Sequence, residues 1–294
     1  MRCWTPGAPA ERRPETVTEQ SSASSITTLP YAEIRGQGEI NLVMLHGFTL
    51  NRKCWYFVAP ELAQQYRLHL IDMMGFGESI APPGFGFTPR EQAEAVADYI
   101  EQNNLQRVIL IGHSYGGGVA LLTELVLQDR GLQDRTEKLV VLAPAIYKQP
   151  LPIFVRIPGT PLLGYLMGAM IPARTTTRLT LELTYYDPKL ATPAQVDKYV
   201  DNMSEPVKAR AIRLTARHII PPDIDTIAGR VEALRKPLLL IYGTHDRIIL
   251  RSSMERLAAS VKGSRYEVLE QCGHVPEEEK PAEVVKLIRE FVSG

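Results

Sequence analysis

Five short stretches of this chain are apolar almost without interruption: Asn41–Leu45, Arg67–Ile71, Val108–Ile111, Lys138–Leu142 and Pro237–Gly243. Runs of this length lack the alternation of a strand with one wet face, and so predict strands covered on both faces. Helical periodicity lies between them. Lys53 to Gln65 reads as one helix, and Thr88-Pro89-Arg90-Glu91 carries a helix start, with threonine at the cap and proline at the first position. That second helix is expected to run to about Asn103, with others near 251–261 and from Pro281 to Phe291, and a further strand at Arg265 to Leu269. Strand and helix in alternation predict an open, mainly parallel α/β sheet with helices on both faces.

The alternation fails in two places. Residues 1 to about 25 are rich in Pro, Glu, Thr and Ser, so too little apolar surface can be buried to offset the entropy of ordering. A mobile tail is expected there, with Thr16-Val17-Thr18 as a short candidate edge strand and Ile26 to Ile34 as the first firm strand. The second break spans 145 to about 225, where ten prolines interrupt helix-like pieces. This predicts a helical lid inserted into a core formed by 26–144 and 226–294. The stretch Leu151 to Ile171 is apolar enough to raise membrane contact through the lid, but its internal prolines and Arg156 argue against a span.

Composition narrows the function. With 33 basic and 33 acidic residues the formal net charge is zero, which gives no electrostatic case for nucleic acid. Three cysteines (Cys3, Cys54, Cys272) without a C-x-x-C pair point away from a disulfide framework or zinc site and towards a reducing, cytoplasmic compartment. No apolar core follows a basic start, so no secretory signal is expected.

The chemistry centres on Gly112-His113-Ser114-Tyr115-Gly116, which follows an apolar strand and opens a helix. That context makes G-x-S-x-G a nucleophile elbow, in which Ser114 is lifted to the end of the sheet. A serine hydroxyl needs a base, and the base needs an orienting acid. His274 lies after the last strand in Gly273-His274-Val275-Pro276, and Asp246 follows the strand ending at Gly243. Both are expected at the carboxyl edge, where active groups of open α/β sheets collect. His46 and His113 sit at strand ends and read as packing residues, and Asp72 reads as the organiser of its own loop. The order Ser114, Asp246, His274 is the nucleophile–acid–base order of such elbows. The Phe48 and Tyr115 backbone N–H groups are the candidate oxyanion donors. Tyr147, Leu151, Phe154, Leu163, Met167 and Met170 are candidate pocket residues.

Together, His46-Gly47-Phe48, the loop Asp72 to Ser79, Gly112 to Gly116, Gly243 to Asp246 and Gly273-His274 resemble the motifs of the α/β-hydrolase superfamily, in its lid-bearing branch. The resemblance covers about residues 26–294. It implies an α/β-hydrolase fold and a cofactor-free, metal-free serine hydrolase, acting on a small apolar ester through an acyl-enzyme. A C–C bond hydrolase with the same triad, or a low-turnover ligand-binding protein, are the alternatives. Epoxide hydrolases and haloalkane dehalogenases of this branch carry aspartate where Ser114 stands.

Overall fold

A computed structural model describes residues 28–294. The five apolar runs form β2 to β6 of seven strands: β1 (Ala32–Arg35), β2 (Asn41–Leu45), β3 (Arg67–Ile71), β4 (Val108–His113), β5 (Thr136–Leu142), β6 (Leu238–Gly243) and β7 (Arg265–Leu269). They make one sheet in the order β1-β3-β2-β4-β5-β6-β7. Only β1 is antiparallel to its neighbour. Successive side chains on a strand point to opposite faces. Thus Val43, Leu45, Leu110, Leu139, Val141, Leu238 and Leu240 enter one core, while Leu42, Met44, Ile109, Ile111, Val140, Leu142, Leu239 and Ile241 enter another. Both faces exclude water, which is why these segments are apolar throughout.

The helices are α1 (Ala59–Leu62), α2 (Pro89–Gln102) and α3 (Tyr115–Asp129) before β5. Between β5 and β6 come α4 (Ile153–Gly159), α5 (Pro161–Met170), α6 (Ala173–Thr184), α7 (Pro193–Tyr199), α8 (Asp201–Ser204), α9 (Pro206–His218) and α10 (Ile224–Glu232). After β6 come α11 (Arg251–Ser260), α12 (Pro276–Glu279) and α13 (Pro281–Ser293). Helices α2 and α3 cover one face of the sheet, and α1 and α13 the other. The α2 start is a full capping box: the Thr88 hydroxyl accepts from the Glu91 N–H, and the Glu91 carboxylate accepts from the Thr88 N–H.

Two expectations need correction. The helix expected over Lys53 to Gln65 is a 3-10 turn, Arg52–Phe57, followed by the four-residue α1. Pro60 is the reason: it has no N–H to continue the preceding helix, but it suits the first turn of a new one. The first strand is shorter than Ile26 to Ile34, beginning at Ala32, just after Pro30. Thr16-Val17-Thr18 and the rest of the expected tail lie outside the described residues. No single helix among the described residues is long and apolar enough to cross a membrane, because α4 and α5 meet at 104°.

Register lines up the carboxyl ends of the parallel strands: Leu45 pairs with Gly112, His113 with Leu142, Leu142 with Ile241, and Gly243 with Leu269. From β2 the chain turns outward to β3, then crosses back to β4 on β2's other side. A crevice opens at the carboxyl ends where the winding reverses.

Candidate active site

Ser114 stands at that reversal, between β4 and α3, with φ 53° and ψ −117°. A non-glycine residue at positive φ must be held there by its surroundings. Its N–H donates to the Leu142 carbonyl (2.8 Å), and its carbonyl accepts from Gly118 (3.1 Å) and Ala145 (3.0 Å). The flanking glycines permit the tight crossing. A Cβ on Gly112 would lie 2.2 Å from the Gly116 oxygen, and one on Gly116 would lie 2.3 Å from the His46 oxygen.

Two other rim loops reach this serine. His274 Nε2 lies 2.8 Å from Ser114 Oγ, and its Nδ1 lies 2.8 Å from Asp246 Oδ2. Asp246 is fixed in turn, its Oδ1 accepting from the N–H groups of Ile248 (2.7 Å) and Ile249 (3.0 Å). The buried carboxylate favours the tautomer with hydrogen on Nδ1, which leaves Nε2 free to take the hydroxyl proton. The structure therefore brings together all three residues singled out by sequence. Asp72 is elsewhere: it accepts from the Arg52 N–H and guanidinium and from the Glu78 N–H, tying down its own loop.

Phe48 and Tyr115 both line the pocket above Ser114. The Tyr115 N–H is at the first position of α3, where no intrahelical acceptor exists. No hydrogen bond engages it or the Phe48 N–H among the described residues. His46 sets the Phe48 loop. Its Nδ1–H donates to the Gly47 carbonyl (2.8 Å), and its Nε2 accepts from the Met73 N–H (3.1 Å). Burial keeps this imidazole's pKa below the ordinary value, consistent with a neutral ring in both roles.

The sequence reading missed the residues that hold His274. Glu277, Glu278 and Glu279 are consecutive carboxylates for which no role is expected from sequence, yet the first two are buried and the third half-buried. Glu279 accepts from the N–H groups of Gly273 (3.0 Å), Val275 (3.2 Å) and Tyr186 (2.7 Å), shaping the loop around His274. Glu277 Oε1 lies 3.0 Å from His113 Nδ1, with both side chains inaccessible. His113 Nε2–H donates to the His274 carbonyl at 2.7 Å. Burial pulls the His113 pKa down, but the Glu277 carboxylate more than offsets this and leaves it raised. Glu278 accepts from the hydroxyls of Tyr185 and Tyr199 and from Gln195 Nε2 (2.6 Å). The His274 N–H donates to the Thr184 carbonyl at the end of α6 (2.8 Å). No local pattern announces these partners: apart from the nearby Gly273 and Val275 N–H groups, they come from distant segments.

The pocket over Ser114 is narrow, about 70 Å³, and mostly apolar; Leu181, Ile219, Ile248 and Val275 are among its walls. Of the candidate lining residues, Tyr147, Leu151 and Phe154 are there. Leu163 and Met170 are not: they point to solvent, 44% and 77% exposed. The reason is that α5 turns Gly164 and Gly168 inward. A Cβ on Gly164 would lie 2.5 Å from the Pro158 oxygen, so α5 packs closely on α4 at that position. The Met167 side chain lies outside those described. No group of three or more His, Cys, Asp or Glu residues among the described residues is placed to hold a metal ion.

Residues 42–287 match the alpha/beta hydrolase family, most of the chain including every strand that carries a site residue. The chain belongs to the alpha/beta hydrolase family. Its relatives in that family differ in chemistry. The pimeloyl-[acyl-carrier protein] methyl ester esterase of Aeromonas salmonicida is 28% identical, over 87% of this chain and 96% of that protein. A soluble epoxide hydrolase of a Corynebacterium species is 27% identical, over 85% and 89%. Among solved structures, the 2-hydroxy-6-oxo-6-phenylhexa-2,4-dienoate hydrolase of a Rhodococcus species superposes with a TM-score of 0.76, covering 91% of this chain and 98% of that one. At 19% identity this likeness concerns the fold alone. The family accordingly supports a hydrolase fold and leaves the bond to be decided by the site.

Proposed function

We propose that this member of the family is a serine hydrolase that cleaves carboxylic esters with an apolar acyl or alcohol part. The observation that supports it most is the bonded chain from Ser114 Oγ through His274 to Asp246, with both contacts at 2.8 Å. Ser114 Oγ attacks the ester carbonyl as His274 Nε2 takes its proton. Asp246 stabilises the imidazolium that forms. The carbonyl oxygen becomes an oxyanion facing the Phe48 and Tyr115 N–H groups, whose attraction counts most in a site shielded from water. His274 then delivers its proton to the departing alcohol. Water, activated by the same imidazole, releases the acid and restores Ser114. Helices α4 to α9 act as the lid, with Leu151, Phe154 and Leu181 forming the apolar roof.

Serine, not a carboxylate, occupies the elbow, so the epoxide-opening chemistry of the Corynebacterium relative is not carried over. The Aeromonas relative, an esterase by name, agrees with the reading. Ser114→Ala is expected to lower kcat on p-nitrophenyl esters by on the order of 10⁴-fold or more, with KM little changed. Turnover by the variant within tenfold of wild type would remove Ser114 from the mechanism.

A further inference from the structure

A second cavity, of about 260 Å³, lies within the lid helices and is far larger than the 70 Å³ pocket over Ser114. Helices α4, α5, α6 and α9 form most of its wall, through residues such as Ile157, Gly168, Thr176, Leu183, Ala209 and Ile212. Its lining is overwhelmingly apolar, and Arg213 is the one charged side chain. Thr49, Phe154 and Thr180 line both spaces, so the chamber adjoins the Ser114 pocket across a wall of three side chains. The glycines of α5 keep it open: a Cβ on Gly168 would meet nothing within 4 Å.

The volumes decide what each space can take. A methylene group needs about as much room as a water molecule, roughly 30 Å³. The pocket over Ser114 therefore admits only about two such groups beside the carbonyl, and the chamber on the order of nine. A substrate with a longer chain can extend into this adjoining apolar space. We infer that the lid chamber is a binding site for the unbranched aliphatic tail of a medium- to long-chain ester, entered past Phe154 and Thr180 from the Ser114 pocket. This inference rests on the hydrolase reading for its kinetics, but chamber occupancy can be measured without turnover. Burial of each methylene is favourable by about 0.8 kcal/mol, close to fourfold in affinity. Discrimination between chain lengths should accordingly rise until the chamber is full.

The test uses two readouts on the full chain. For p-nitrophenyl esters, kcat/KM is expected to rise by up to about fifteenfold per two methylenes from butanoate to octanoate. It is expected to level off beyond about dodecanoate. Thr176→Trp and Ala209→Trp, which fill the chamber from α6 and α9, are expected to lower the decanoate-to-acetate ratio of kcat/KM at least tenfold. Calorimetric titration of decanoate into Ser114→Ala is expected to show binding that the added Ala209→Trp substitution abolishes, with circular dichroism confirming that both variants fold. A flat chain-length profile in an active enzyme, or decanoate binding untouched by the tryptophan, would overturn the chamber's role. Decanoate binding lost with the tryptophan, in a protein that turns over no ester, would leave the chamber assigned and the hydrolase reading refuted.

Discussion

At the level of single residues, the site is a chain of polar groups that have each exchanged water for one another. Ser114 faces His274, His274 faces Asp246, and Asp246 is held by two backbone N–H groups. Behind them is a second chain: Glu277 beside His113, and His113 on the His274 carbonyl. Removing one member of a buried charged pair leaves the other uncompensated, typically at about 3–5 kcal/mol. Glu277→Ala is accordingly expected to lower the unfolding free energy by about that amount in urea denaturation, with an unchanged slope. A loss below about 1 kcal/mol would show that His113 gains little from its neighbour.

Among the elements, the contact of α12 with α6 and α7 carries a pH signature. Burial pushes the Glu278 carboxyl up to about 7 from its usual 4.5, despite the tyrosine hydroxyls that favour its charged form; facing Glu277 raises it further and Lys198 lowers it. A carboxyl raised in the folded state binds its proton there over a range in which the unfolded chain has already released it. Its contribution is then complete below about pH 4.5 and lost as pH rises through about 7. Thermal unfolding from pH 5 to 8 should show wild type losing stability relative to Glu278→Gln, which stays neutral throughout. Parallel pH profiles for the two proteins would contradict this. The same elements show what sequence can and cannot convey. The apolar runs and the Thr88 cap marked β2 to β6 and α2 closely, because double-sided burial and capping are local demands. Helix α5 is apolar all round, so its pattern holds no information about facing, and Leu163 and Met170, expected in the pocket, face out. The three glutamates were illegible for the converse reason, since their tyrosine, glutamine, histidine and backbone partners come from other elements.

For the molecule as a whole, the site exists only because the sheet folds. Ser114 and His274 are 160 residues apart in sequence, and Asp246 is 28 from His274. They meet because β4, β6 and β7 end at one rim of a parallel sheet. The motif order made this convergence readable in advance, since each chemical residue follows its own strand. The two cavities were not readable, as they depend on how the short helices between β5 and β6 pack. A serine hydroxyl outside such a setting is a poor nucleophile, so reactivity at Ser114 reports the assembled fold. The most direct measurement is treatment of the native and the urea-unfolded chain with a fluorophosphonate, followed by peptide mass mapping. The account predicts one adduct on the native protein, on Ser114, and none on the unfolded chain. A native protein left unmodified at Ser114 under conditions that label a known serine esterase would contradict it.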